Sequence, residues 1–156
     1  MSKYLNDIWE LISTWFYIGK TRYAPGTIGS LATLPLIYLL HSYLGIYSVL
    51  AFAILISLLG IISADKFSKH LGIKDPGMII IDEVAGQTLT LIFAGINLYL
   101  YLIGFIIFRL LDIFKPGPIG WADKKVSGGL GIMLDDIIAG IIGMIILLLI
   151  KIYIFQ

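Results

Sequence analysis

Residues 23–64 contain no Asp, Glu, Lys or Arg, an uncharged run of 42 residues, and residues 84–108 add a second run of 25. A helix in water needs charge along its outward face, whereas a bilayer core asks for roughly 20 apolar residues per helical span. Runs of this length therefore exclude a water-soluble fold, and a composition of 59% apolar and 13% charged residues in a 156-residue chain agrees. The expected architecture is all-α: a multi-helix integral membrane bundle with helical hairpins and an N-terminal amphipathic helix, forming a single membrane-embedded domain over 1–156. A net charge of +1 without a dense basic run gives no reason to expect a nucleic-acid partner. The absence of cysteine removes disulfides, thiolate metal sites and cysteine nucleophiles. Asp7 and Glu10 precede the first long apolar run, which does not fit a cleavable secretory signal.

Residues 4–18 place Leu5, Ile8, Trp9, Ile12, Trp15 and Phe16 on one helical face and Lys3, Asp7, Glu10 and Thr14 on the other. Such a helix lies along the membrane interface or packs on the rest of the protein. Ala24-Pro25-Gly26-Thr27 reads as a turn, followed by helices over 28–40 and 46–64 separated near His41 to Gly45. A polar segment over 65–74, a turn at Asp75-Pro76-Gly77, an apolar stretch opened by Asp82-Glu83, a polar connection over 109–131 and a last helix over 137–150 complete the chain.

The second uncharged run either crosses once or folds back at Gly95-Ile96-Asn97. As one straight helix it would hold Asp82 and Asp112 about 45 Å apart, on opposite sides of the membrane. As a hairpin it returns the charged segments near residues 20, 65–75 and 109–125 to one face and leaves Lys151 on the other. The positive-inside tendency makes that charged face cytoplasmic. Each arm is then only about a dozen residues, too short to span unless polar ends extend it or other helices shield it. The hairpin is the preferred reading.

Five acidic residues fall at the boundaries of apolar segments: Asp82-Glu83, Asp112 and Asp135-Asp136. Neighbouring carboxylates beside apolar helices repel one another and lose hydration, so something cationic must offset them. A hard divalent cation would do so, since it prefers oxygen ligands and completes its shell with water and substrate phosphate. The plainer alternative is helix capping, or pairing with Arg109, Lys115, Lys124 and Lys125. Gly26-Thr27-Ile28-Gly29-Ser30 combines a flexible backbone, two hydroxyls and a helix start, as a phosphate-cradling turn requires, but on local evidence alone a plain helix cap with close glycine packing is the better reading. The same applies to Gly128-Gly129-Leu130-Gly131. Arg109 and Lys115 flank Asp112 and either bind phosphate oxygens or snorkel to the interface. His41 and His70 stand apart from the acids.

Taken together, these segments resemble the phosphatidylglycerophosphatase A family. The resemblance rests on Ala24-Pro25-Gly26-Thr27-Ile28-Gly29-Ser30-Leu31, Ile81-Asp82-Glu83-Val84-Ala85-Gly86-Gln87, the stretch from Phe108-Arg109-Leu110-Leu111-Asp112 through Lys115-Pro116-Gly117-Pro118-Ile119, and the stretch from Gly128-Gly129-Leu130-Gly131 through Asp135-Asp136 to Gly140. It implies a bacterial inner-membrane enzyme of phosphatidylglycerol biosynthesis whose active site faces the cytoplasm. Such an enzyme uses Mg2+ to hydrolyse the terminal phosphomonoester of its membrane lipid substrate, phosphatidylglycerophosphate. Under that resemblance Asp82, Glu83, Asp112, Asp135 and Asp136 are the candidate catalytic residues and metal ligands, and Thr27, Ser30, Arg109 and Lys115 are the candidate substrate-binding residues. The competing class is a small ion or proton transporter, which accounts for the acids but not for the Lys-Pro-Gly-Pro segment or the glycine turns.

Overall fold

The computed structural model describes residues 3–154, all of whose regular elements are helical. They are α1 (Lys3–Ser13), α2 (Pro25–Leu44), α3 (Ile46–Leu71), α4 (Ile81–Thr90), α5 (Leu98–Phe114), α6 (Pro118–Lys125) and α7 (Gly128–Ile154), with a short 3-10 turn at Ile18–Lys20. Three of them, α2, α3 and α7, are long and apolar enough to cross a membrane, at 20, 26 and 27 residues. At 1.5 Å per residue these span about 30–40 Å. Their outer faces stay apolar: Ile54, Leu58 and Ile62 on α3 and Ile145, Leu149 and Ile152 on α7 are exposed at helical spacing. So are Leu102, Ile106 and Leu110 on α5. Continuous apolar stripes of this kind need lipid as their solvent.

The second uncharged run folds back. Helix α4 ends at Thr90, Gly95 takes a left-handed φ of +64°, and the Asn97 side chain accepts hydrogen bonds from the Tyr99 and Leu100 amides to start α5. With 10 residues α4 is too short to span, and it is instead enclosed by α2, α3, α5 and α7. Seven of its residues, from Ile81 to Thr90, are buried. Close helix contact is what admits it. A Cβ on Gly140 would lie 2.6 Å from the Gly86 carbonyl oxygen, so α4 and α7 meet backbone to backbone. The fold-back carbonyls, which hydrocarbon could not satisfy, find side-chain partners: His41 Nε2 lies 3.1 Å from the Leu91 oxygen, and Lys151 donates to the Phe93 oxygen at 2.8 Å.

Several boundaries differ from the sequence expectations. Helix α1 stops at Ser13 because Thr14 caps back, its hydroxyl donating to the Glu10 carbonyl and accepting from the Tyr17 amide, after which Trp15, Phe16 and Tyr17 all adopt positive φ. Its Trp9 and Ile12, with Trp15, pack on a core that includes Ile56, Ala64 and Phe67, while Tyr4, Leu5 and Ile8 stay exposed. Helix α2 begins at Pro25, where proline's missing amide costs nothing, and runs to Leu44, so it is long enough to span. Helix α3 continues past Asp65 to a left-handed Gly72 cap. The region 109–131 is largely helical, and α7 starts at Gly128, which puts Asp135 and Asp136 inside a helix and not at its mouth. For α3, the 109–131 region and α7, charged residues suggested an end that tertiary packing overrode.

Contacts of Gly26 with Glu83 and of Gly143 with Thr90 show α2, α4 and α7 running away from one end of the bundle. Helices α3 and α5 run towards that end, which also holds α6.

Candidate active site

The end at which α2, α4 and α7 begin encloses a cavity of about 440 Å³. Asp82 and Glu83 reach it from α4, Asp112 from the last turns of α5, and Asp135 and Asp136 from α7. The fold-back thus gathers all five carboxylates singled out in the sequence around one space. A straight crossing would have parted them by the thickness of the membrane.

Geometry divides the five. Asp82, Glu83 and Asp136 each offer an oxygen, and the three oxygens lie within 4.8 Å of one another. Asp136 is 2% exposed. The other two acids are held by cations. Arg109 Nη1 lies 2.5 Å from Asp112 Oδ2, an ion pair by distance although its angle is not that of an aligned hydrogen bond, and 4.0 Å from Glu83 Oε1. Lys115 donates to Asp135 Oδ2 and to Asp123 Oδ1, each at 2.5 Å. Burial works against the Lys115 charge, but its hydrogen bonds to Asp123 and Asp135 outweigh that and raise its pKa above the usual lysine value.

Seven carboxylates and three cationic side chains line the cavity, a local excess of negative charge that an anionic ligand would only increase. The donor chemistry suits a hard divalent cation: three carboxylate oxygens converge, and Glu83 Oε2 is buried without a protein partner among the described residues. Asp82, Glu83 and Asp136 are the residues that would hold it.

Helix starts supply the complementary positive field. The first turns of α2, α4 and α7 all contribute to the lining. Neither Ala24 nor Ile80, which precede α2 and α4, caps its helix with a side chain. First-turn amides have no intrahelical acceptor, and the macrodipole favours an anion there. Gly26 is the tightest point, since a Cβ would overlap the Glu83 carboxylate. This gives a steric reason for glycine in the Ala-Pro-Gly-Thr turn. Thr27 lines the cavity, as do Arg109 and Lys115. Ser30 does not: it is fully buried, and its hydroxyl donates to the Gly26 carbonyl at 2.9 Å, inside α2 itself. His41 sits at the opposite end beneath the fold-back, and His70 is exposed near the end of α3.

Three charged residues of the lining were not singled out from sequence: Lys74 and Asp75 on the α3–α4 connection, and Asp123 on α6. Asp123 precedes Lys124 and Lys125 in a short polar run that reads as a solvated face. Its pairing with Lys115 follows only from the turn at Pro116 to Pro118.

Comparison with known proteins converges on one family. The family profile for phosphatidylglycerophosphatase A matches residues 11–151. Phosphatidylglycerophosphatase A of Escherichia coli is 37% identical over 140 residues, covering 88% of this chain and 80% of the relative. That of Haemophilus influenzae is 38% identical over 148 residues, covering 94% and 90%. A Bacteroides thetaiotaomicron protein described as a candidate phosphatidylinositol-3-phosphatase is 33% identical over 144 residues, covering 88% and 89%. No solved structure matches.

Proposed function

The chain belongs to the phosphatidylglycerophosphatase A family, and from that premise we propose that its carboxylate-lined cavity hydrolyses the terminal phosphomonoester of phosphatidylglycerophosphate with the aid of magnesium. The products are phosphatidylglycerol and inorganic phosphate. One observation carries the reading: three carboxylates with oxygens within 4.8 Å of each other, in a cavity lined also by the first turns of three helices and bordering a lipid-facing surface.

In this reading Asp82, Glu83 and Asp136 hold the magnesium. A divalent cation bound there supplies charge neutralisation at the phosphoryl oxygens and makes water more acidic. The protein's own groups do the remainder. The Gly26 and Thr27 amides and the Thr27 hydroxyl take phosphate oxygens, as a helix start does for anions. Arg109 and Lys115 lie against the same space and offset negative charge as it builds on the phosphoryl group. Each is already oriented by a carboxylate, Arg109 by Asp112 and Lys115 by Asp135, so little reorganisation is needed when substrate arrives. Water oxygen bonds to phosphorus, the phosphorus–oxygen bond to glycerol breaks, and the glycerol oxygen gains a proton.

The lipid reaches the site sideways. Ile113 both lines the cavity and is exposed on α5, so the cavity borders the lipid-facing surface and a head group can turn inward from it. Lys20, Arg22, Lys66, Lys69, Lys124 and Lys125 crowd the same end of the bundle, and Lys151 sits at the other. Under the positive-inside tendency this charge asymmetry supports a cytoplasm-facing site in the inner membrane of a bacterium.

Purified protein in mixed micelles is expected to release inorganic phosphate from phosphatidylglycerophosphate when magnesium is present and to stop on chelation. Phosphatidylinositol 3-phosphate is the comparison substrate, given the Bacteroides relative; faster release from it would overturn the head-group assignment. Ion flux in proteoliposomes without phosphate release from either lipid would overturn the phosphatase reading in favour of a transporter.

A further inference from the structure

The cavity contains three cationic side chains, and two of them are committed. Arg109 faces Asp112 and Glu83, and Lys115 bridges Asp123 and Asp135. The third, Lys74, has no carboxylate partner within ion-pair distance among the described residues. It lies in the exposed first part, residues 72–75, of the connection that leads from α3 to α4. Lys74 also borders an adjoining shallow groove with Ser68 and Gly72, which places it at the rim and away from the convergent carboxylates.

We propose that Lys74 binds the phosphodiester of the lipid head group and thereby sets the preference for a substrate carrying two phosphates. The inference rests on the phosphatase reading above. Phosphatidylglycerophosphate has two anionic groups joined by a glycerol: a terminal monoester, which is cleaved, and an internal diester, which is kept. The convergent carboxylates and the first-turn amides serve the monoester. The diester lies on the acyl side, at the mouth, where the lining otherwise carries surplus negative charge. An unpaired cation at that rim is the group able to offset it. Lysine suits the task, being a compact point charge on a flexible stem that needs no fixed geometry. Because Lys74 is exposed and lies outside the helices, its replacement leaves the bundle intact.

The test is steady-state kinetics of the full-length protein in mixed micelles, comparing wild type, Lys74→Gln and Lys74→Arg, with inorganic phosphate as a competitive probe of the monoester subsite. Loss of one charge-assisted contact is expected to raise KM for phosphatidylglycerophosphate about tenfold in Lys74→Gln. Its kcat should stay within about twofold, since a ground-state contact retained in the transition state is lost from KM alone. The inhibition constant of inorganic phosphate should not move, and Lys74→Arg should restore KM. An unchanged KM overturns the proposal. A fall in kcat at constant KM, or an inhibition constant that rises in step with KM, also overturns it, by assigning Lys74 to the transferred phosphate. Wild-type protein that releases no phosphate would instead sink the phosphatase reading, and this proposal with it.

Discussion

Replacing Gly26 by alanine should separate stability from activity. Gly26 lies in the first turn of α2 with ordinary helical backbone, so alanine there is expected to leave the fold unchanged or to stabilise it by about 0.5–1 kcal/mol. The added Cβ, however, would overlap Glu83 Oε1 and lie 2.9 Å from Glu83 Cδ and 3.3 Å from Arg109 Nη1. Carbon atoms rest at about 3.5–4.0 Å, so the carboxylate must withdraw by about 1 Å. That movement takes Glu83 out of the group it forms with Asp82 and Asp136, whose oxygens lie within 4.8 Å of one another. A misplacement of about 1 Å in a reacting constellation costs on the order of 100-fold. The expected result is a fall of that size in kcat/KM for phosphate release, with a higher magnesium requirement and an unfolding temperature, followed by tryptophan fluorescence, no lower than wild type. Activity within about threefold of wild type at the same magnesium concentration would refute the steric argument. A matching fall in unfolding temperature would refute it too, because it would mean that α2 moved and Glu83 did not. Gly95→Ala is the converse control. Its φ of +64° makes alanine strained, yet no atom lies within 4 Å of the new Cβ, so stability should drop by about 1 kcal/mol while activity per folded molecule is kept.

Asp136→Asn removes one of the three convergent carboxylates and is expected to raise the magnesium concentration for half-maximal activity by at least about tenfold; an unchanged magnesium titration would remove Asp136 from the metal-holding set. Lys115→Ala leaves Asp135, 6% exposed, without its cation, a loss of about 3 kcal/mol or more by the usual cost of orphaning a buried charge, measurable as lowered unfolding temperature and largely rescued by Lys115→Arg. Because the folded pKa of Lys115 is raised, the lysine's contribution is fully present below its ordinary value of 10.5 and is lost only as pH climbs through the higher folded value, so its titration should leave stability unchanged up to about pH 9. In the cysteine-free background, Ile96→Cys at the exposed fold-back should react with an impermeant maleimide from outside intact cells and Trp121→Cys on α6 only after permeabilisation; reaction of Ile96→Cys from the cytoplasmic side alone would contradict the topology.

Much of this protein is legible in its amino-acid sequence, and the reason is locality. An uncharged run such as 23–64 reports its solvent through the residues it contains, so membrane residence follows directly. The fold-back is legible as well, because Gly95 and Asn97 carry their own conformational preferences, a left-handed turn and a helix cap. Asp82, Glu83, Asp112, Asp135 and Asp136 can be singled out because charge is costly beside hydrocarbon. What each acid does with its charge is not legible there. Only the packing of α4 between α2 and α7 brings Asp82 and Glu83 to Asp136, while the chain's reversal at Pro116 to Pro118 gives Lys115 to Asp123 and Asp135. Ser30 and Thr27 share one motif, yet a single helical turn's backbone acceptor draws Ser30 inward and leaves Thr27 at the cavity. The helix boundaries at Leu71, Phe114 and Gly128 belong to the same class, because charged residues end a helix or continue it according to the partner that waits in space. Hydropathy is additive along the chain; ion pairing depends on distances of a few ångström between segments far apart in it, and those distances exist only once the bundle has packed.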